Sequence, residues 1–308
     1  MPADAVTPLE PGSILTETPP APSQATTDKL ARRSRRRRRW ATFARYIVLS
    51  ILGLVIFFPV YLTVVNSLLT STRLLDKPPA FFPTDPQWSN YRDAWNGGNM
   101  SEYLRNSVIV TFFITVGQVA TATLAAYAFA FLDFPFKRTI FVLFLATLMV
   151  PFEVTIITNY STVANLHWVN TYQGLVVPFL ATGFGAFLLR QSFLTLPKDL
   201  EEAARLDGYG HWRFMMRVVI PLSRPAIGAL AVFSFLAAWN QYLWPLLVAE
   251  DDKVRTVQVG LRQLSRTELD RFPVTFAGTI LAALPIVILL IIFQKQLIRG
   301  LTAGAVKG

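Results

Sequence analysis

Six long apolar stretches constrain this chain more than anything else in it. The first, YIVLSILGLVIFFPVYLTVV (46–65), runs for twenty residues without a charge. A helix needs about 20 mostly apolar residues to cross the hydrocarbon core of a bilayer. Stretches that qualify occupy about 46–69, 107–132, 139–160, 174–194, 226–249 and 275–298. In lipid every backbone polar group must be paired within the structure, so such segments are helices. The expected fold is an all-α integral membrane protein with six transmembrane helices. Composition agrees, since 53% of the 308 residues are hydrophobic and only 16% are charged, too little polar surface for a soluble domain.

The net charge of +10 is concentrated at one end. RRSRRRRR (32–39) follows a Pro/Thr/Ala-rich tail with few large apolar residues, and such a tail is expected to be disordered. The chain therefore divides into an Arg-rich tail, 1–45, and a transmembrane domain, 46–308. Alone, the arginine run would suit nucleic acid. Directly ahead of an apolar span it holds that end in the cytosol and contacts anionic headgroups, so no nucleic-acid partner is expected. With the N-terminus inside, twenty of the 29 Lys/Arg fall on the cytosolic side and nine outside, where each charged loop carries as many acidic residues. Both termini and the loop 195–225 are thus expected in the cytosol. The first apolar run is too long for a signal-peptide core.

Catalytic chemistry finds no foothold. There is no cysteine, and the two histidines, His167 and His211, are read as structural and not as metal ligands. A phosphate-cradling G-x-x-x-x-G-K-[ST] loop is missing, as is any Ser/His/Asp constellation. Neither an enzyme nor a metal site is expected.

The span interiors read as packing surfaces. Ala122, Ala126 and Ala130 repeat every fourth residue, and Gly117, Thr121 and Ala125 form a second such row; small residues at that spacing let helices approach closely in lipid. Pro151, Pro178, Pro245 and Pro285 lie within or at the ends of spans, and mark either ordinary kinks or helices that line a pathway. Glu153 is the only acidic residue inside an expected span. It either lines that pathway or makes a structural hydrogen bond to a neighbouring helix. Asn240, Gln241 and Tyr242 offer amide and phenol groups suited to a hydroxylated solute, while Trp239 and Trp244 beside them fit interfacial anchors.

The loop TLPKDLEEAARLDGYGHWRFMMRVVIPLSRP (195–225) carries its own punctuation. Pro197 suits a first helical turn, and Asp199, Glu201 and Glu202 place negative charge at its positive end. Gly208 and Gly210 supply the stop. A second helix follows, with Trp212, Met215, Met216 and Val219 on one apolar face, Arg213 and Arg217 off it, and Pro221 ending it. Ala203 and Ala204 give the first helix a low-relief face beside the charge of Glu202. Such a face either inserts into a groove on another protein with a cationic partner, or belongs to a solvated interfacial loop.

These residues resemble a family signature. Glu202-Ala203-Ala204, three residues, Gly208, nine residues, then Val218-Val219-Ile220-Pro221 is similar to the EAA-x3-G-x9-I-x-L-P of bacterial ABC-importer permeases, with aliphatic exchanges at Val218 and Ile220. NTYQGLVVP (170–178), WNQYLWPLL (239–247) and RGLTAGAVKG (299–308) resemble the carbohydrate (maltose-type) branch. The segments 150–180 and 188–208 resemble the glycerol-3-phosphate permeases of that branch. The likeness covers roughly 46–308 and leaves out the tail.

The resemblance implies a type I ABC importer permease fold in the bacterial inner membrane. It implies a second permease subunit as heterodimer partner, two copies of a cytosolic ATPase that bind ATP and Mg, and an extracytoplasmic substrate-binding protein. By the same resemblance Glu202, Ala203, Ala204, Leu206, Asp207 and Gly208 couple the chain to the ATPase, and the chain itself binds no cofactor. The expected solute is glycerol-3-phosphate or a glycerophosphodiester such as glycerophosphocholine, whose cationic head suits Glu153. A di- or oligosaccharide is the alternative within the class. An ion-coupled secondary transporter is the alternative outside it, but the chain shows no evident internal repeat and a single intramembrane carboxylate.

Overall fold

The computed structural model describes residues 24–266 and 271–302. The chain forms two units, Met1–Val60 and Tyr61–Gly308. Among the described residues all regular structure is helical. Three helices are long and apolar enough to cross a bilayer unbroken: Trp40–Ser67, Met100–Phe131 and Phe272–Gln294. Three more candidates are bent pairs. They are Lys137–Met149 with Phe152–Asn165 (95°), Tyr172–Phe179 with Gly183–Phe193 (43°), and His211–Leu222 with Arg224–Trp239 (79°). The protein is an all-helical membrane protein with three to six candidate spans.

The expected stretches 46–69, 107–132 and 275–298 correspond to the three unbroken helices. The stretches 139–160 and 174–194 are each split, and 226–249 ends as a helix at Trp239, with a separate short helix at Leu243–Val248. The expected boundary at residue 45 also differs. The backbone is helical without interruption over Gln24–Ser67, so 24–45 is part of the first span's helix and not an irregular tail. Arginine and alanine favour helix, and a helix that is already nucleated extends at little cost. Residues 1–23 lie outside the described residues.

Side chains from other helices satisfy the backbone groups that a break releases. At the 43° bend the Phe179 carbonyl accepts from Gln118 Nε2 at 2.9 Å, and the Leu180 carbonyl from Thr121 Oγ1 at 2.8 Å. Pro151 stands at the 95° break, where its missing N–H costs nothing. Pro178 opens a 3₁₀ turn beside the other break.

Within Tyr61–Gly308 the Met100–Phe131 helix is the hub, packed against Gly183–Phe193 and Arg224–Trp239. Ala122 and Ala126 are buried there with Ala186, Leu189 and Leu230. A Cβ added to Gly185 would lie 3.0 Å from that of Ala122, and one added to Gly117 would lie 2.3 Å from Leu180 Cδ2. Both small-residue rows therefore mark close approaches.

Opposite ends of the hub helix hold different structures. Its C-terminal end packs on the loop 195–225 through Tyr127, Ala204, Phe214, Met215 and Val219. Its N-terminal end pins the segment after Val248. Buried Asn106 donates to the Lys253 and Arg255 carbonyls at 3.0 and 2.9 Å and accepts from Tyr172 at 2.6 Å, while Ser107 Oγ accepts from Val257 N at 2.7 Å. Trp239 and Trp244 are 1% and 2% exposed, which corrects the interfacial-anchor reading. Their indole N–H groups donate to the Ala282 and Gly174 carbonyls at 3.2 and 3.0 Å. An indole whose N–H finds a carbonyl is free to be core.

Candidate functional site

The glutamate-alanine helix forms over Lys198–Leu206. Asp199 and Glu201 occupy its first turn, where the helix dipole favours them. Arg205 Nη2 reaches Glu201 Oε1 at 2.7 Å, four residues back on the same face. The end is built on Gly208, while Gly210, with φ −76°, instead stands ahead of the next helix. Gly208 adopts φ +75°, its N–H bonds the Arg205 carbonyl at 3.0 Å, and Tyr209 N–H bonds the Ala204 carbonyl at 2.8 Å. That pair of bonds is a Schellman stop.

The two alanines face different ways. Ala204 is buried against the core cluster, whereas Glu202, Ala203, Leu206, Asp207 and Gly208 are exposed. Leu206 is 89% exposed. The result is a wedge with its back seated on the protein by Ala204 and its front presenting a carboxylate beside bare apolar surface.

The helix after the wedge departs from expectation. Met215–Val219 is a π turn and Pro221 lies within the next helical turn, so the helix runs on to Leu222. The inward residues are Phe214, Met215 and Val219, while Trp212 is 64% exposed and Met216 is exposed too. A π turn widens the period beyond 3.6. The expected face of Trp212, Met215, Met216 and Val219 is thereby split, and Phe214 takes the inner place.

Glu153 lies in the first turn of Phe152–Asn165, just after the 95° break, and is exposed. Its carboxylate sits at the positive end of that helix, an arrangement worth about 0.3–1 kcal/mol. No hydrogen bond to a neighbouring helix is among its contacts in the described residues. Asn240, Gln241 and Tyr242 form the gap between Arg224–Trp239 and Leu243–Val248. Asn240 caps the first helix by donating to the Leu236 carbonyl at 2.8 Å, and its Oδ1 accepts from Gln258 Nε2 at 3.4 Å. Gln241 Oε1 and the Tyr242 hydroxyl are shielded and have no hydrogen-bond partner among the described residues. Arg262 places its guanidinium 5.5 Å from the Tyr242 ring centroid. The gap is thus one polar group; Glu153 belongs to a different break.

Sequence reading passed over Tyr127, Asn106 and Gln118. Each is a polar side chain within an apolar span, and a hydrogen-bonding residue at that depth finds a partner on another element. That was the available signal. Among the described residues no group of His, Asp and Glu has the spacing to hold a metal ion.

The body is all-helical, with broken candidate spans and an exposed acidic wedge. Residues 118–303 match the family described as binding-protein-dependent transport system inner membrane component. The chain belongs to that family: it is a permease subunit of a binding-protein-dependent ABC transporter, a multi-pass component of the inner membrane and not an enzyme. It is 38% identical over 264 residues to the sn-glycerol-3-phosphate transport system permease protein UgpE of Brucella abortus (strain 2308), covering 82% of this chain and 93% of the relative. Identity to the protein of the same name from Yersinia pestis bv. Antiqua (strain Antiqua) is 36% over 264 residues, covering 83% and 94%. A solved bacterial ABC transporter involved in the import of the acidic polysaccharide alginate shares the fold. Its TM-score is 0.75 at 20% identity, over 83% of this chain and 96% of that one.

Proposed function

We propose that this permease imports glycerol-3-phosphate or glycerophosphodiesters such as glycerophosphocholine. The observation that carries this is identity of 36–38% along nearly the whole length of relatives named for glycerol-3-phosphate transport. It forms half of the pathway with a second permease subunit. Two copies of a cytosolic ATPase, which bind ATP and Mg, dock beneath, and an extracytoplasmic binding protein delivers the solute. A solved bacterial alginate ABC transporter of similar fold, in complex with an alginate pentasaccharide-bound periplasmic protein, supports the last partner. Six spans with both termini cytosolic is the topology that the Lys/Arg distribution supports.

In this reading Glu202, Ala203, Leu206, Asp207 and Gly208 enter a cleft of the ATPase, with Glu202 against a basic residue, and Ala204 seats the wedge from behind. Closure of the ATPase pair moves the wedge and tilts the spans between outward and inward access. Glu153 and the Asn240–Gln241–Tyr242 gap line the pathway. The unpartnered Gln241 and Tyr242 oxygens suit solute hydroxyls, because each shielded polar atom left unpaired costs about 1–3 kcal/mol. Glu153 suits a choline head.

Uptake of labelled solutes by the strain with and without the gene tests the assignment. Glycerol-3-phosphate entry is lost on deletion, and entry of an uncharged disaccharide is not; the reverse result sinks the solute. Glu202→Lys lowers ATP-driven uptake by about tenfold or more, because a reversed charge meets a basic cleft. Glu153→Gln lowers glycerophosphocholine uptake, and an unchanged rate removes that residue from the pathway.

A further inference from the structure

One phenol ties the hub helix to the loop that carries the wedge. Tyr127 is buried near the C-terminal end of Met100–Phe131. Its hydroxyl lies 3.0 Å from the His211 carbonyl oxygen and 3.1 Å from His211 Nδ1. A phenol has one hydrogen to give. Donating it to the carbonyl leaves the oxygen lone pairs toward Nδ1, so the imidazole contact requires Nδ1 to carry hydrogen and donate back. The ring is gripped too, with Phe131 at 5.1 Å, His211 at 6.2 Å and Phe214 at 6.4 Å between centroids.

The grip falls where movement would be passed on. His211 opens the helix that follows the wedge's glycine stop. Among the described residues, Tyr127 makes the only side-chain hydrogen bonds between Met100–Phe131 and the loop 195–225. The nearby Arg190 Nε to Phe129 carbonyl bond of 3.2 Å joins the hub to Gly183–Phe193 instead. The hydrophobic driving force between the hub and the loop is non-directional. A hydrogen bond to a main-chain carbonyl is directional and fixes their register.

From this geometry we infer that Tyr127 is the positioning residue that carries displacement of the loop 195–225 into the hub helix. The inference rests on the reading of that loop as the ATPase contact. It is tested in proteoliposomes holding the whole transporter, ATPase and partner permease included, with solute-loaded binding protein. Tyr127→Phe removes one oxygen and keeps the ring. The amount of solute moved per ATP hydrolysed falls by about threefold or more, the scale of losing a buried hydrogen bond, while the ATPase still co-purifies. His211→Ala keeps the carbonyl acceptor, so its ratio falls less. An unchanged ratio in Tyr127→Phe overturns the inference, and so does loss of the ATPase from the purified complex, which would make Tyr127 a structural residue only. A Glu202→Lys variant that remains fully coupled removes the underlying reading of the loop, whatever Tyr127→Phe does.

Discussion

At Gly208 the whole constraint lies in the backbone. Its φ is +75° and a Cβ there would meet no atom within 4 Å, so substitution is opposed by conformation and not by space. Gly208→Ala should weaken the wedge's C-terminal stop by about 1 kcal/mol. Hydrogen exchange of the Lys198–Leu206 amides then speeds up roughly fivefold. Gly208→Asn costs less, because asparagine tolerates the left-handed region. Ala203 and Ala204 teach a related lesson. The sequence placed both on one low-relief face, yet one is bare and the other buried. Which alanine turns inward depends on where Phe214 and Tyr127 lie, and the wedge's own residues say nothing about that.

At the scale of elements, two glycines with the same crowding should behave differently. A Cβ on Gly174 would lie 2.3 Å from the Trp168 carbonyl oxygen, and a Cβ on Gly117 would lie 2.3 Å from Leu180 Cδ2. A side-chain end moves aside; a main-chain carbonyl does not, and the Gly174 carbonyl also holds the buried Trp244 indole. Gly174→Ala should therefore cost about 2–3 kcal/mol and Gly117→Ala about 1 kcal/mol. Thermal unfolding of the purified complex ranks them, and equal losses would contradict the argument. Element existence was legible because apolar length and small-residue spacing are local signals. Two breaks were marked by Pro151 and Pro178, but what holds them was not. The 43° bend is stabilised by Gln118 and Thr121 from a helix some sixty positions earlier, and a window of hydropathy cannot see such a partner. The π turn at Met215–Val219 escaped for a local reason, since its widened period hides the inward face from a 3.6-residue count.

For the whole molecule, the lack of cysteine makes topology directly measurable. Leu206→Cys and Lys253→Cys each introduce a single exposed thiol, one at each end of the hub. A membrane-impermeant maleimide should label position 206 only from the cytosolic face and position 253 only from the outer face; labelling from one side would refute the orientation. The unbroken hub also has a mechanical consequence. Suppose its fulcrum is the close approach of Ala122 and Gly185, about 8 Å along the helix from Tyr127 and about 24 Å from Asn106. A stiff rod rocking on that fulcrum has arms of roughly one to three. A slight shove at the Tyr127 end would therefore swing the segment held by Asn106 about three times as far.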